Sequence, residues 1–186
     1  MLHEESVIDS VASVYDGEVI LDLPVPEPTM DEIMLCRGYC SENTCGNYGI
    51  SCTCPPKCGT VEHCLEHLRV YEKAMLIRKR YYLDLSNMEK VEECSNDLET
   101  ICRNIHVSLC GNGIRNLALT GGPCRYCAEC SGVSGSECRF PNLRIGSIST
   151  YGIMIDDYLR DNGIESEDVE GAVMLYALIM YDRKEE

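Results

Sequence analysis

EGAVMLYALIMYD, from Glu170 to Asp182, is the stretch on which the fold turns. Between Ala172 and Tyr181 it carries no charge, and its only polar groups are two tyrosine hydroxyls. An apolar run of this length without polar alternation predicts a strand buried on both faces, with a short helix as the alternative. Outward from it, EVILDLPV (Glu18 to Val25) reads as a second strand, ended by Pro24, Pro26 and Pro28. IRNLALT (114–120) reads as a third. In YEKAMLIRKRYYLDL (71–85), Ala74 to Ile77 either continues a helix or opens a strand, while Tyr81, Tyr82 and Leu83 favour a strand in the second half. Arg78-Lys79-Arg80 is then a solvated strand edge rather than a docking patch.

Helical spacing separates these strands. Thr60 can cap a helix with Val61, Cys64, Leu65 and Leu68 on one face. Ser86 to Glu89 forms a capping box for a longer helix, whose stripe is Met88, Val91, Cys94, Leu98, Ile101, Ile105 and Leu109, ending at Gly111 and Gly113. Cys94 and Cys102 on that helix read as small core hydrophobes, and His106 as a surface or capping residue. Ser147 or Ser149 can start a helix carrying Tyr151, Ile155, Tyr158 and Leu159, closed by Asn162-Gly163. A short helix over 6–15 is also expected. The pattern predicts one α/β (α+β) domain over residues 1–186, a central sheet with helices packed on it and two cysteine-rich loops together at one edge.

Those loops hold most of the 14 cysteines. In GGPCRYCAECSGVSGSECRFP (121–141), Cys124, Cys127 and Cys130 stand at three-residue steps, with Cys138 beyond. A C-x2-C-x2-C turn aims successive thiolates at one centre and suits three corners of an iron–sulfur cube, a more distant cysteine supplying the fourth. The earlier loop, CRGYCSENTCGNYGISCTCPPKC (36–58), is rich in Gly and Asn and reads as irregular backbone. Its six thiols exceed one cube's need. Cys36, Cys40, Cys45 and Cys54 are the chosen ligands. Cys52 would point away from Cys54, and Cys58 is the substitute. His63, Cys64 and His67 sketch a weaker zinc site, but Glu66 is on the wrong step for a zinc protease.

The net charge of −15 argues against a nucleic-acid partner and favours a basic one. The first 17 residues lack a signal-peptide pattern, and no apolar run reaches 18 residues, which excludes a membrane-spanning helix. So many thiols in a cytoplasmic chain point to metal rather than disulfides.

The constellation Cys45-x2-Tyr48-Gly49-x4-Cys54-Pro55-Pro56, Gly122-Pro123-Cys124-x2-Cys127-x2-Cys130 and Cys138-Arg139-x-Pro141 resembles an uncharacterised family of predicted metal-binding proteins from methanogenic archaea and anaerobic bacteria. Arg144-x2-Ser147 and Gly152-Ile153 look like that family's segment after the last cysteine. The resemblance runs from about residue 32 to residue 165. It implies metal at Cys45, Cys54, Cys124, Cys127, Cys130 and Cys138, and leaves the first cluster's fourth ligand among Cys36, Cys40, Cys52 and Cys58. It implies no reaction. The expected function is a carrier of two 4Fe–4S clusters, passing electrons to a partner with a basic surface. The alternatives are a zinc-stabilised adaptor and a metallocluster maturation factor.

Overall fold

The computed structural model describes Ile8, Ser10, Ser13 and residues 15–84, 86–166 and 169–182. Five strands form one sheet: β1 (Glu18–Leu23), β2 (Lys73–Tyr82), β3 (Asn116–Thr120), β4 (Gly146–Ser147) and β5 (Ala172–Tyr181). Their order is β1-β2-β5-β3-β4, antiparallel throughout except for the parallel β3–β4 pair. The run without polar alternation is thus an inner strand. Leu178 and Met180 join one core, and Ala177, Ile179 and Tyr181 the other.

The helices divide between the two faces. α1 (Met30–Ser41), α2 (Val61–Arg69) and α4 (Ile155–Asp161) bury Ile33, Cys64, Leu68, Tyr158 and Leu159 against Ala74, Leu76, Leu119 and Leu178. α3 (Met88–Gly111) lays Leu98, Ile101, Cys102, Ile105 and Leu109 on Met75, Ile77, Ala118 and Ile179. The result is a single mixed α+β domain whose sheet is covered on both sides. Cys102 is fully buried, whereas Cys94 is half-buried and Met88, at the start of the helix, is exposed.

Several local readings change. The first cysteine loop does not begin as irregular backbone: Cys36 and Cys40 stand on α1. The helix starts at Thr29, whose hydroxyl accepts from the Glu32 amide while the Glu32 carboxylate accepts from the Thr29 amide. All of Lys73–Tyr82 is strand, and it lies between β1 and β5, but β1 pairs with it only as far as Arg78, so Arg78 is on an inner stretch while Lys79 and Arg80 pair with β5 alone. Arg78 pairs with Glu18 at 2.7 Å, and Lys79 with Asp97 at 2.8 Å. Asn87 rather than Ser86 caps α3, because the Ser86 hydroxyl is turned to Asp84. Neither Ser147 nor Ser149 starts a helix: Ser147 ends β4, Ser149 opens a 3-10 turn, and α4 begins at Ile155. The short helix expected over 6–15 falls largely outside the described residues.

One glycine sets the approach of α1. Gly152, at φ +71°, faces the α1 backbone, where an added Cβ would lie 2.7 Å from the Ile33 Cα. Any side chain there would push α1, and with it Cys36 and Cys40, off the sheet.

Ile179→Ala, on the fully buried half of β5, is expected to cost about 2–5 kcal/mol of unfolding free energy. Urea denaturation followed by circular dichroism checks this, and a loss below about 1 kcal/mol would contradict the burial of this face of β5 under α3.

Candidate metal centre

The first group of thiols is built on α1 and the turn that follows it. Cys36 and Cys40 are one helical turn apart and share a face. The Cys36 Sγ lies 3.8 Å from the Met154 sulfur. The chain then winds through tight turns, Gly49 N–H donating to the Pro55 carbonyl at 2.8 Å, so that Cys54 is buried and Cys45 is exposed. Arg37 fixes this loop from beneath. Its guanidinium donates to the carbonyls of Gly59 (2.8 Å) and Thr150 (3.3 Å) and to the Cys64 sulfur (3.1 Å).

Electrostatics show which thiols are neighbours. Burial pushes the Cys36, Cys40, Cys54 and Cys58 thiols up, Cys54 to about 11. Nearby thiols add to the rise: Cys40 acts on Cys36, Cys45 on Cys40, Cys45, Cys40 and Cys58 on Cys54, and Cys64 and Cys40 on Cys58. Arg37 works the other way on Cys40 and Cys58. The four chosen residues of this loop are therefore within one neighbourhood, and Cys58 is there too. A metal taken up here displaces thiol protons.

The second group surrounds a small cavity at the end of β3. Cys124, Cys127, Cys130 and Cys138 all line it, and so does Cys52 from the first loop, with Thr53, Tyr126, Phe140 and Arg144. The placement of Cys52 is what its sequence context hid. Facing away from Cys54 turns it to the other cysteine loop.

The two loops are clasped. The Cys52 amide donates to the Cys130 sulfur at 3.4 Å, and the Cys124 amide to the Thr53 hydroxyl at 3.0 Å. Lys57 Nζ donates to the Gly132 carbonyl. Gly132 makes the contact possible, since a Cβ there would lie 2.1 Å from the Ile50 carbonyl oxygen and 3.2 Å from the Cys52 sulfur.

Cys130 differs from the other buried thiols. Burial works to raise it, but the amides of Cys52 and Gly132, the Cys52 thiol and the Lys57 charge outweigh burial and hold it below the usual thiol range. Cys52 moves the opposite way, raised by burial and by Cys130. Of the two, Cys130 is therefore the thiol that gives up its proton more readily.

A buried carboxylate that sequence reading missed anchors the second loop. Glu99 on α3 is 1% exposed. It takes an ion pair from Arg103, accepts the Arg125 amide at 2.7 Å and faces the Arg125 guanidinium at 3.4 Å. Arg103 also reaches the Cys124 sulfur at 3.8 Å and lies over the Tyr126 ring, 5.0 Å from its centroid. Glu99 flanks the apolar stripe of α3, so the periodicity did not mark it as buried.

His106 and His67 are engaged elsewhere. His106 is buried, not a surface cap, and its ring nitrogens face the Asn116 side-chain oxygen (2.6 Å) and the Asn142 carbonyl (3.1 Å). His67 is held by the Tyr151 hydroxyl at 2.8 Å, while Cys64 is turned to Arg37 and the Thr150 carbonyl.

The donor set is soft and anionic, which suits zinc or iron–sulfur chemistry and not the hard cations that prefer oxygen. The free space among the second group is about 20 Å³, and among the described residues no three His, Cys, Asp or Glu side chains converge on one ion-sized point. The thiols stand around a centre whose loops must adjust to what they hold. A family model described as predicted metal-binding protein (DUF2284) matches residues 34–181, which includes both groups. Among curated proteins and solved structures, nothing matches the chain.

In metal-free reduced protein, Cys130 should react with iodoacetamide faster than Cys54 at pH 8. With a pKa about 11, Cys54 is thiolate in roughly one molecule in a thousand there. Raising the pH to 10 should speed Cys54 about a hundredfold and Cys130 far less. Peptide mapping by mass spectrometry reads both rates, and parallel pH profiles would contradict the assignment.

Proposed function

Because the chain belongs to the family of predicted metal-binding proteins (DUF2284), we propose that it is a cytoplasmic iron–sulfur protein holding two 4Fe–4S clusters and passing single electrons to or from a partner enzyme. The observation that carries the reading is the ring of Cys124, Cys127, Cys130 and Cys138 around one cavity, on a loop with C-x2-C-x2-C spacing. Bound cubes would supply one-electron chemistry. The protein's residues do the rest. The thiolates of this loop would ligate one cube, and Cys36, Cys40, Cys45 and Cys54 the other. Amide N–H groups from Cys52 and Gly132 point at Cys130, the kind of donor that raises a cluster's potential. Lys57 and Arg103 offset part of the negative charge that thiolate ligands bring.

Two further features support a docking role. The chain carries −15, which favours encounter with a basic surface and keeps nucleic acid away. Exposed apolar groups, Tyr48, Ile50, Tyr126, Val133 and Phe140, lie on the two cysteine loops, where an electron would leave. Among the described residues no helix is long and apolar enough to cross a membrane.

A second reading draws on the surplus thiols. Cys58 lies among the first group and Cys52 among the second, so each group has five sulfurs for four places. A spare thiol beside each centre suits a maturation factor that loads and releases metal. The zinc-stabilised adaptor is the remaining alternative.

Protein isolated without oxygen should hold about eight irons and eight acid-labile sulfides per chain, the content of two cubes. Four of each would leave one cluster standing, and stoichiometric zinc without sulfide would overturn the iron–sulfur reading.

Cys127→Ser should remove about half the iron, since a hydroxyl is a poor ligand for a soft site. Cys102→Ser, on the buried face of α3, should keep the iron and lower stability by about 1–3 kcal/mol. Equal iron loss from the two variants would contradict this division.

A further inference from the structure

A large open cavity lies beside the cysteine groups among the described residues. It measures about 690 Å³, within the range of small-molecule sites, and lies against α3, β3 and the segment 141–151. Apolar groups make up much of its wall, including Val107, Leu117, Pro141 and Leu143.

Its fixed charges are the guanidinium groups of Arg115 and Arg144. His67, His106 and the thiols of Cys52, Cys58 and Cys110 also line it, and among the described residues no Asp or Glu does. Acidic residues are 31 of the 186 in this chain, so their absence from the wall is a departure from the rest of the protein. A surface rich in carboxylates would repel an anion.

Three of the four basic groups are already engaged. Arg115 pairs with Asp182 at 2.6 Å and donates to the Val70 carbonyl at 3.0 Å. His106 is held by Asn116 and Asn142, and His67 by Tyr151 and Tyr71. Among the described residues the Arg144 side chain makes no ion pair and no hydrogen bond. Its guanidinium can therefore take a carboxylate in a bidentate grip at no cost to an existing contact.

Arg144 also has a particular place. Together with Cys52 and Thr53 it lines both this cavity and the smaller one enclosed by Cys124, Cys127, Cys130 and Cys138. What Arg144 holds stands at the partition between the two.

We infer that the large cavity is a binding site for a small organic carboxylate, its head group on Arg144 beside the second cysteine group and its apolar body against Val107, Leu117 and Leu143. The site stands on the cavity and the free guanidinium and does not depend on which metal the thiols hold. A ligand there would lie against the wall of the second cysteine group.

Isothermal titration calorimetry on anaerobically isolated protein tests the site with hexanoate, its neutral analogue hexanamide, and inorganic phosphate. Hexanoate is expected to bind saturably at concentrations up to about 10 mM, the range for a fragment of its size. Hexanamide and phosphate should each bind at least about tenfold more weakly, the first for want of charge and the second for want of an apolar body. R144Q should lower hexanoate affinity about tenfold or more with unchanged metal content and circular dichroism, and R144K should restore part of it. No saturable hexanoate binding, equal binding of hexanamide or phosphate, or unchanged affinity in R144Q would each overturn the assignment. If R144Q fails to fold, R144K and the hexanoate-to-hexanamide ratio decide it. Iron and sulfide content, measured on the same samples, separates failure of this site from failure of the metal reading.

Discussion

The second cysteine group depends on a close approach of two backbones. Gly132 lies so near the Ile50 carbonyl and the Cys52 amide that no side chain fits between them. The contact brings the Cys52 amide within reach of Cys130 and the Cys124 amide within reach of Thr53. Without it the two loops would be separate thiol-rich excursions from the sheet, each short of a partner. With it, a cysteine from the first loop becomes a wall of the second. In two-cluster ferredoxins the cysteine remote from a C-x2-C-x2-C run serves the other cube, and Cys52 crosses between groups in a comparable sense.

The clasp must itself be held to the sheet. Glu99 does this from α3, at the cost of burying a carboxylate in a nearly dry position. Such a charge persists only when it is paired and fully hydrogen-bonded. Arg103, the Arg125 amide and the Arg125 guanidinium satisfy it, and Arg103 continues to Cys124 and Tyr126. On the other face Arg37 does the same for the first group, linking α1, the Gly59 carbonyl, the Thr150 carbonyl and Cys64. In a chain of charge −15, a few arginines and Lys57 are placed where thiolates gather. Local positive charge makes thiolates tenable in a protein whose overall field opposes them.

The same economy of positive charge makes Arg144 conspicuous. Every other guanidinium near the cysteine loops has a carboxylate, carbonyl, sulfur or aromatic face to answer it. The junction of the two cavities is where the electrostatics of the fold are left open.

The sequence by itself determined the mixed α+β architecture, because unbroken apolar runs and 3.6-residue stripes are local signals of burial. It placed β5 inside, β1 ahead of the prolines, α2 at Thr60 and α3 along Leu98 to Leu109. It also marked the thiol-rich segments, since density and C-x2-C spacing need no tertiary information. It misplaced the start of the first loop, although Thr29 and Glu32 carried a capping box, because the cysteines and glycines of residues 36–49 drew the reading toward a loop. Only the tertiary structure decided that Arg78-Lys79-Arg80 lies on an inner strand, since strand order is set by pairings far apart in the chain. Only it turned Cys52 toward Cys130, buried Glu99 under the second loop, and joined residues from 52 to 151 around one cavity without a carboxylate. Each of these rests on contacts between segments tens of residues apart, and periodicity and spacing carry no information about such contacts.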